Sequence, residues 1–172
     1  MSGLARRAAI LAVGSELLTA SRTDTNSLAI TDALNAVGID VAFKAVVGDD
    51  RQELADLCRH AMRRAPLVIC TGGLGPTDDD LTREVVAGVL GRSLVEDPAL
   101  VATIQARFAS RGLRMPETNR RQAHVPAGAV PIANERGTAP GLWIEADAHG
   151  VLLLPGPPRE MRPMPILPTY EE

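Results

Sequence analysis

Three apolar runs, each stopped by a glycine beside carboxylates or hydroxyls, constrain this chain more than any other feature. Ala8 to Val13 is nearly continuous and stops at Gly14-Ser15-Glu16. Ile39, Val41, Phe43, Ala45 and Val47 alternate and stop at Gly48-Asp49-Asp50. Leu67-Val68-Ile69-Cys70 leads into Thr71-Gly72-Gly73-Leu74-Gly75-Pro76-Thr77-Asp78-Asp79-Asp80-Leu81-Thr82. Short apolar runs of this kind predict buried strands. The segments between them carry helical stripes: Ile30, Ala33, Leu34 and Val37 in one, Leu54, Leu57, Cys58 and Ala61 in the other. Gly38 stops the first stripe and Pro66 restarts the chain after the second. The order is βαβαβ. Crossovers long enough for helices make a parallel sheet, covered on both faces, the expected α/β architecture.

Downstream, a helix is expected from Asp80 to about Leu90, closed by Gly91. A second starts near Asp97-Pro98, carries Val101, Ile104 and Phe108, and ends at Arg111-Gly112. Met115 to Ala123 is polar and suits a short helix. Val125 to Ile132 holds two prolines and reads as loop or a short edge strand. Leu142-Trp143-Ile144-Glu145 and Gly150 to Leu154 form a strand pair, the second ending at Pro155-Gly156-Pro157-Pro158. Beyond Met161, Pro163, Pro165 and Pro168 exclude a long helix. No internal repeat or linker interrupts the 172 residues, which suit one domain.

Composition removes several function classes. Aromatics make up 2% of residues and net charge is −3 with no basic block, which argues against stacking platforms or grooves for nucleic acid. Cys58 and Cys70 sit in apolar patterns without a C-x-x-C spacing and suit reduced core cysteines of a cytoplasmic protein. Arg6-Arg7 before Ala8 to Val13 mimics a signal peptide, but no small-x-small cleavage site follows, and a first strand is the better reading. No segment has the apolar length needed to span a membrane.

In an open α/β sheet, ligands bind outside the carboxyl ends of the strands. Gly14-Ser15-Glu16, Gly48-Asp49-Asp50, Gly72 to Asp80 and Pro155 to Glu160 all follow apolar strands, and they converge on one cleft if the four strands are parallel. P-loop, dinucleotide, zinc and G-x-S-x-G motifs are all missing. His60, His124 and His149 are isolated and read as surface residues. Asp78-Asp79-Asp80 reads equally as helix capping or as ligands for a metal or substrate. One of Asp49 and Asp50 should cap the helix that begins near Arg51, leaving the other for the cleft. Ser15-Glu16 and the glycines around Thr138 fit simple turns, and Asn119, Arg120 and Gln122 fit a surface, although a guanidinium there would suit phosphate.

Together these stretches resemble a known family. Gly14-Ser15-Glu16-Leu17-Leu18-Thr19, Asp24-Thr25-Asn26-Ser27, Val47-Gly48-Asp49-Asp50 and Thr71 to Thr82 resemble the N-terminal domain of the CinA, or competence/damage-inducible, family. So do Asn119-Arg120 with Gln122-Ala123, Asn134 with Gly137 to Gly141, and Leu154 to Pro158 with Glu160-Met161. The likeness runs in order from about residue 8 to residue 162, within the wider molybdopterin-binding family. Ala20, where glycine is usual, and the additional carboxylate Asp78 depart from the pattern.

The resemblance implies a three-layer α/β/α sandwich with a mainly parallel sheet over residues 1–162. It also implies further chain beyond that point, so that 163–172 is expected to be a proline-rich tail truncated relative to the family. It implies a metal-dependent pyrophosphatase that converts ADP-ribose, or a related dinucleotide, to AMP and ribose 5-phosphate. Asp80 and Asp49 would be catalytic, and Asp79, Asp80 and Asp49 would hold Mg²⁺, Mn²⁺ or Co²⁺, with K⁺ as a further cation. Gly14, Ser15, Glu16, Gly72, Gly73, Gly75, Thr77, Asn119, Arg120, Thr138, Pro155 and Gly156 would line the substrate. Alternatives are molybdopterin binding or adenylylation in molybdenum cofactor biosynthesis, and a non-catalytic nucleotide-binding or assembly module. The expected partners are a nucleotide or pterin ligand, a second or third copy of the chain, and a separate nicotinamide mononucleotide deamidase.

Overall fold

The protein is described by a computed structural model over residues 7–166. In chain order, β1 (Arg7–Val13) is followed by α1 (Asn26–Ala36), β2 (Asp40–Val47), α2 (Arg51–Arg64) and β3 (Leu67–Thr71). Then come α3 (Thr82–Val89), β4 (Leu94–Glu96), α4 (Pro98–Ala109), β5 (His124–Pro126) and β6 (Val130–Ile132). The strands β7 (Gly141–Ala146) and β8 (His149–Leu154) and the short helix α5 (Pro158–Met161) complete the described chain.

A six-stranded sheet runs in the order β2-β1-β3-β8-β7-β6. β1, β2, β3 and β8 are mutually parallel, and β7 and β6 are added antiparallel. Period-two alternation divides the buried strands between two apolar layers. Ala9, Leu11, Val68, Cys70, Val151 and Leu153 pack on the side of α2 and α3, with Leu54, Cys58, Ala61, Val85 and Val86. Ala8, Ile10, Leu67, Ile69, Leu152 and Leu154 pack on the other side, with Ile30 and Leu34 of α1 and with Met161 and Met164. The result is the expected mainly parallel sheet between helical layers. Because α1 and α2 cover opposite faces, the connections out of β1 and into β3 diverge, and a crevice opens beyond their carboxyl ends.

Some expectations need correction and others gain detail. The helix after the glycine loop starts at Thr82, not Asp80, so the three aspartates lie in the turn before it. Met115 to Ala123 contains a 3-10 helix, Glu117–Ala123. Val125 to Ile132 supplies two short strands, because its prolines occupy sheet edges. β5 pairs with β4 in a separate two-stranded sheet. β4 was not expected at all: three residues are too short to carry a period. Pro168 and the end of the proline-rich tail lie outside the described residues. Within them, no helix is long and apolar enough to cross a membrane.

Candidate active site

The four parallel strand ends meet at one cavity of about 560 Å³. Gly14, Glu16 and Asp49 line one side, and Gly72, Gly73, Leu74, Gly75, Asp79 and Asp80 line the other. Thr138, Pro155, Gly156 and Glu160 close it from the β8 end.

The glycine loop fits because side chains are absent where backbones cross. Gly72 has φ +104°, and a Cβ there would lie 2.1 Å from the Val13 carbonyl oxygen. At Gly75 a Cβ would lie 2.4 Å from Asp80 Oδ2. The loop's hydrogen bonding is one-sided. Gly72 O accepts from Thr82 Oγ1 at 2.8 Å and Gly73 O from Thr82 N at 3.1 Å. Leu74 O and Gly75 O accept from the two terminal nitrogens of Arg83 at 2.5 and 3.2 Å. Thr77 O accepts from Arg121 Nη1 at 2.8 Å. The N–H groups of Gly73, Leu74 and Gly75 have no acceptor among the described residues. A run of unspent N–H donors in a glycine turn is the backbone arrangement that binds anions.

The aspartates separate into three roles. Asp80 Oδ2 accepts from Thr77 N at 2.9 Å and Thr77 Oγ1 at 2.6 Å, which locks it inside its own loop. Asp78 is exposed and pairs with Arg121 at 2.9 Å, away from the cavity. Asp79 is exposed at the cavity rim. None of the three receives a hydrogen bond from an N–H of α3, whose N-terminus has no side-chain cap, so the capping reading is set aside. Of the other pair, Asp50 caps α2, accepting from Gln52 N and Glu53 N. Asp49 faces the cavity, and its Oδ2 accepts from Ser15 N at 2.9 Å while Ser15 Oγ accepts from Asp49 N at 3.0 Å.

Ser15 and Thr77 therefore belong to the site as supports for Asp49 and Asp80, and neither lines the cavity itself. Arg120 is not brought in. Its Nε and Nη2 bind Glu96 at 2.6 and 2.8 Å on the β4–β5 side, and this contact holds the Glu96 carboxyl below the usual carboxylate range. Asn119 and Gln122 are buried, contrary to the surface reading. Asn119 Nδ2 donates to Gln122 Oε1 at 3.0 Å, and Gln122, not Asn119, reaches the cavity. Among the described residues, no histidine lines the cavity.

Asn26, missed as a site residue, ties the crevice together. Its Nδ2 donates to Thr71 Oγ1 and to Gly156 O, each at 2.8 Å, linking α1 to the ends of β3 and β8. Glu160, also missed, accepts from Asn134 Nδ2 at 2.9 Å, and Asn134 Oδ1 in turn accepts from Gly137 N, which fixes the turn that presents Thr138. Burial pushes the pKa of Arg83 down, opposed by the nearby carboxylates of Glu84 and Asp80. Nothing in single-residue patterns marks these residues, because Asn26 and Glu160 act through contacts far apart in sequence and Arg83 through the buried side of the turn that precedes it.

Comparison with known proteins fits this geometry. Residues 9–167 match the family model described as "Probable molybdopterin binding domain". A CinA-like protein of Koribacter versatilis is 53% identical over 161 residues, covering 91% of this chain and 39% of that protein. A CinA-like protein of Acidobacterium capsulatum is 51% identical over 162 residues, with the same coverage. The chain thus spans about 39% of the length of these curated relatives. Among solved structures, CinA of Thermoplasma acidophilum, a protein of unknown function, superposes with a TM-score of 0.86 at 35% identity, covering 92% of this chain and 93% of that one. The molybdopterin biosynthesis enzyme MoaB of Thermus thermophilus shares the fold, with a TM-score of 0.60 at 24% identity over 91% of this chain and 84% of that one.

Proposed function

This chain belongs to the molybdopterin-binding domain family as a CinA N-terminal domain, and from that premise we propose that it is a metal-dependent pyrophosphatase acting on ADP-ribose or a related dinucleotide. The products are AMP and ribose 5-phosphate. One observation carries the reading: a loop with its carbonyls spent and its N–H groups of Gly73, Leu74 and Gly75 unspent shares a cavity with Asp49 and Asp80. Phosphate oxygens suit those donors. Asp49 and Asp80 each use one carboxylate oxygen on the protein, and Oδ1 of each takes no hydrogen bond among the described residues. That oxygen is available to take a proton from water or to hold a cation.

Among the described residues, no group of three or more His, Cys, Asp or Glu side chains could hold a metal alone. The donor set instead fits ions of the Mg²⁺ type, which use one or two carboxylates and complete their shell with phosphate and water. In that arrangement Asp49 and Asp80 would hold Mg²⁺, Mn²⁺ or Co²⁺ together with phosphate and water, and Asp79 at the rim would add charge nearby. Such an ion, when bound, supplies charge neutralisation on the diphosphate and a more acidic water. The lining supports a role for such an ion: among the described residues, Glu16, Asp24, Asp49, Asp79, Asp80 and Glu160 face Arg22 as the one basic side chain, so a bare diphosphate would be repelled.

The test is product analysis with ADP-ribose and each divalent ion. AMP above a metal-free control is expected, and its absence from folded protein overturns the reading. The family description, which names molybdopterin binding, supports a second reading in which the same cavity binds molybdopterin or adenylylates it. Pyrophosphate released from ATP only when molybdopterin is present would select it. Tight AMP binding without turnover under any condition would select a non-catalytic module. We also propose self-association as a dimer or trimer, which sedimentation equilibrium measures directly.

A further inference from the structure

Arg83 heads the largest fully buried side chains, at 1% exposed. Burying a guanidinium costs several kcal/mol, of the order set by ion desolvation, unless it is well paired. Yet Arg83 forms no ion pair within 4.0 Å among the described residues. Its terminal nitrogens are spent on the Leu74 and Gly75 carbonyls, and its Nε has no hydrogen-bond partner among the described residues. The positive charge is therefore placed against the back of the glycine loop, with the cavity on the other side.

The Leu74 carbonyl and the Gly75 N–H belong to one peptide unit. A cation donating to that carbonyl polarises the unit and makes its N–H a stronger donor. Gly75 lines the cavity, and its N–H has no acceptor among the described residues. We propose that Arg83 is a positioning residue for a phosphate oxyanion, delivering its charge through the Leu74–Gly75 peptide without touching the ligand. The inference rests on the anion-binding reading of the loop, and it holds whether a nucleotide or a pterin carries the phosphate. Arg121 provides the contrast. It also grips the loop, at Thr77 O, but its charge is met by Asp78 at 2.9 Å and Glu84 at 3.1 Å.

The experiment titrates the full chain, in the presence of Mg²⁺, with inorganic phosphate and with AMP, following amide resonances by NMR. In the wild type, the Gly73, Leu74 and Gly75 amides should move downfield, Gly75 most. Arg83→Met should weaken phosphate affinity about tenfold, the scale of one partly screened charge a few ångströms away. Arg83→Lys, which keeps the charge, should stay within about threefold of wild type, and Arg121→Met within about twofold. The proposal is overturned by a Gly75 amide that stays still while its neighbours shift. Unchanged affinity in folded Arg83→Met, or Arg83→Lys as weak as Met, also overturns it. If Arg83→Met does not fold, the wild-type shifts and Arg83→Lys decide. Phosphate binding without AMP release from ADP-ribose sinks the pyrophosphatase reading alone. No phosphate binding by the wild type sinks this one.

Discussion

Asp80 and Asp49 line the same cavity from opposite sides and are held by different means. Asp80 is fixed by Thr77, three residues earlier, through two hydrogen bonds to one carboxylate oxygen. Asp49 is fixed by Ser15, 34 residues away, through a reciprocal pair of bonds between the ends of β1 and β2. The first is a local lock that forms with its own turn. The second exists only when two parallel strands are in register, with Val13 opposite Val47. The two carboxylates thus report on different levels of folding: loop conformation for Asp80, sheet assembly for Asp49.

The comparison breaks most sharply at Asp80. Asp80→Ala should lower turnover of ADP-ribose by about a hundredfold or more, the loss seen when a preorganised charged group at a reacting centre is removed. Circular dichroism should remain native, since the side chain is only part-buried and supports no element beyond its own turn. Equal loss of fold and activity would mean that the lock is structural. Ser15→Ala tests the other side. It removes the hydroxyl that accepts from Asp49 N but leaves Ser15 N bonded to the Asp49 carboxylate, so about a tenfold loss in kcat is expected from misplacement. An unchanged kcat would show that the main-chain contact alone positions Asp49.

The same local-versus-distant difference governs how far the sequence could be read. The parallel strands, the two stripe-bearing helices and the glycine loop were legible because their signals lie within windows of a few residues. So was the division of labour at Asp49 and Asp50, where one carboxylate had to cap α2. Asn26, Gln122, Glu160 and Arg83 were not, since their partners at Thr71, Asn119, Asn134 and Leu74 are defined by tertiary contacts or by which side of a turn faces inward. The reading of Asp78 to Asp80 as caps shows the limit from the other direction. A run of aspartates before an apolar stripe looks like an N-cap, but here the loop consumes Asp80 before α3 begins.

Asp50 sharpens the contrast with its neighbour, because it stands next to Asp49 in sequence but turns to the helix instead of the cavity. Its Oδ1 accepts from Gln52 N at 2.9 Å and Glu53 N at 2.8 Å. Asp50→Ala should cost about 1 kcal/mol, as lost N-caps do. For a domain of this size that lowers Tm by roughly 2–4 °C. Turnover should stay within about twofold, because the side chain faces α2. A loss of activity larger than the loss of stability would place Asp50 in the reaction.

The smallest effect is expected at Arg120, whose guanidinium would suit phosphate and is spent elsewhere. Both nitrogens that it uses are bound to Glu96, on the β4–β5 side of the molecule. The hydrogen bond from Arg120 lowers the Glu96 pKa, with the charges of Arg120 and His124 adding to it. A carboxyl lowered in the folded state favours folding above its unfolded pKa, and that contribution is lost as pH falls through the folded value. Both side chains are partly exposed at the surface, so the gain is screened and Tm should hardly respond to the loss of Arg120. Arg120→Ala should let the Glu96 carboxyl titrate upward, toward the ordinary glutamate range, as an NMR titration of its side-chain carbon would record. Turnover and phosphate affinity should not change. A drop in either would mean that Arg120 leaves Glu96 to meet the ligand, and the site would then own a cation that the present geometry assigns to a surface pair.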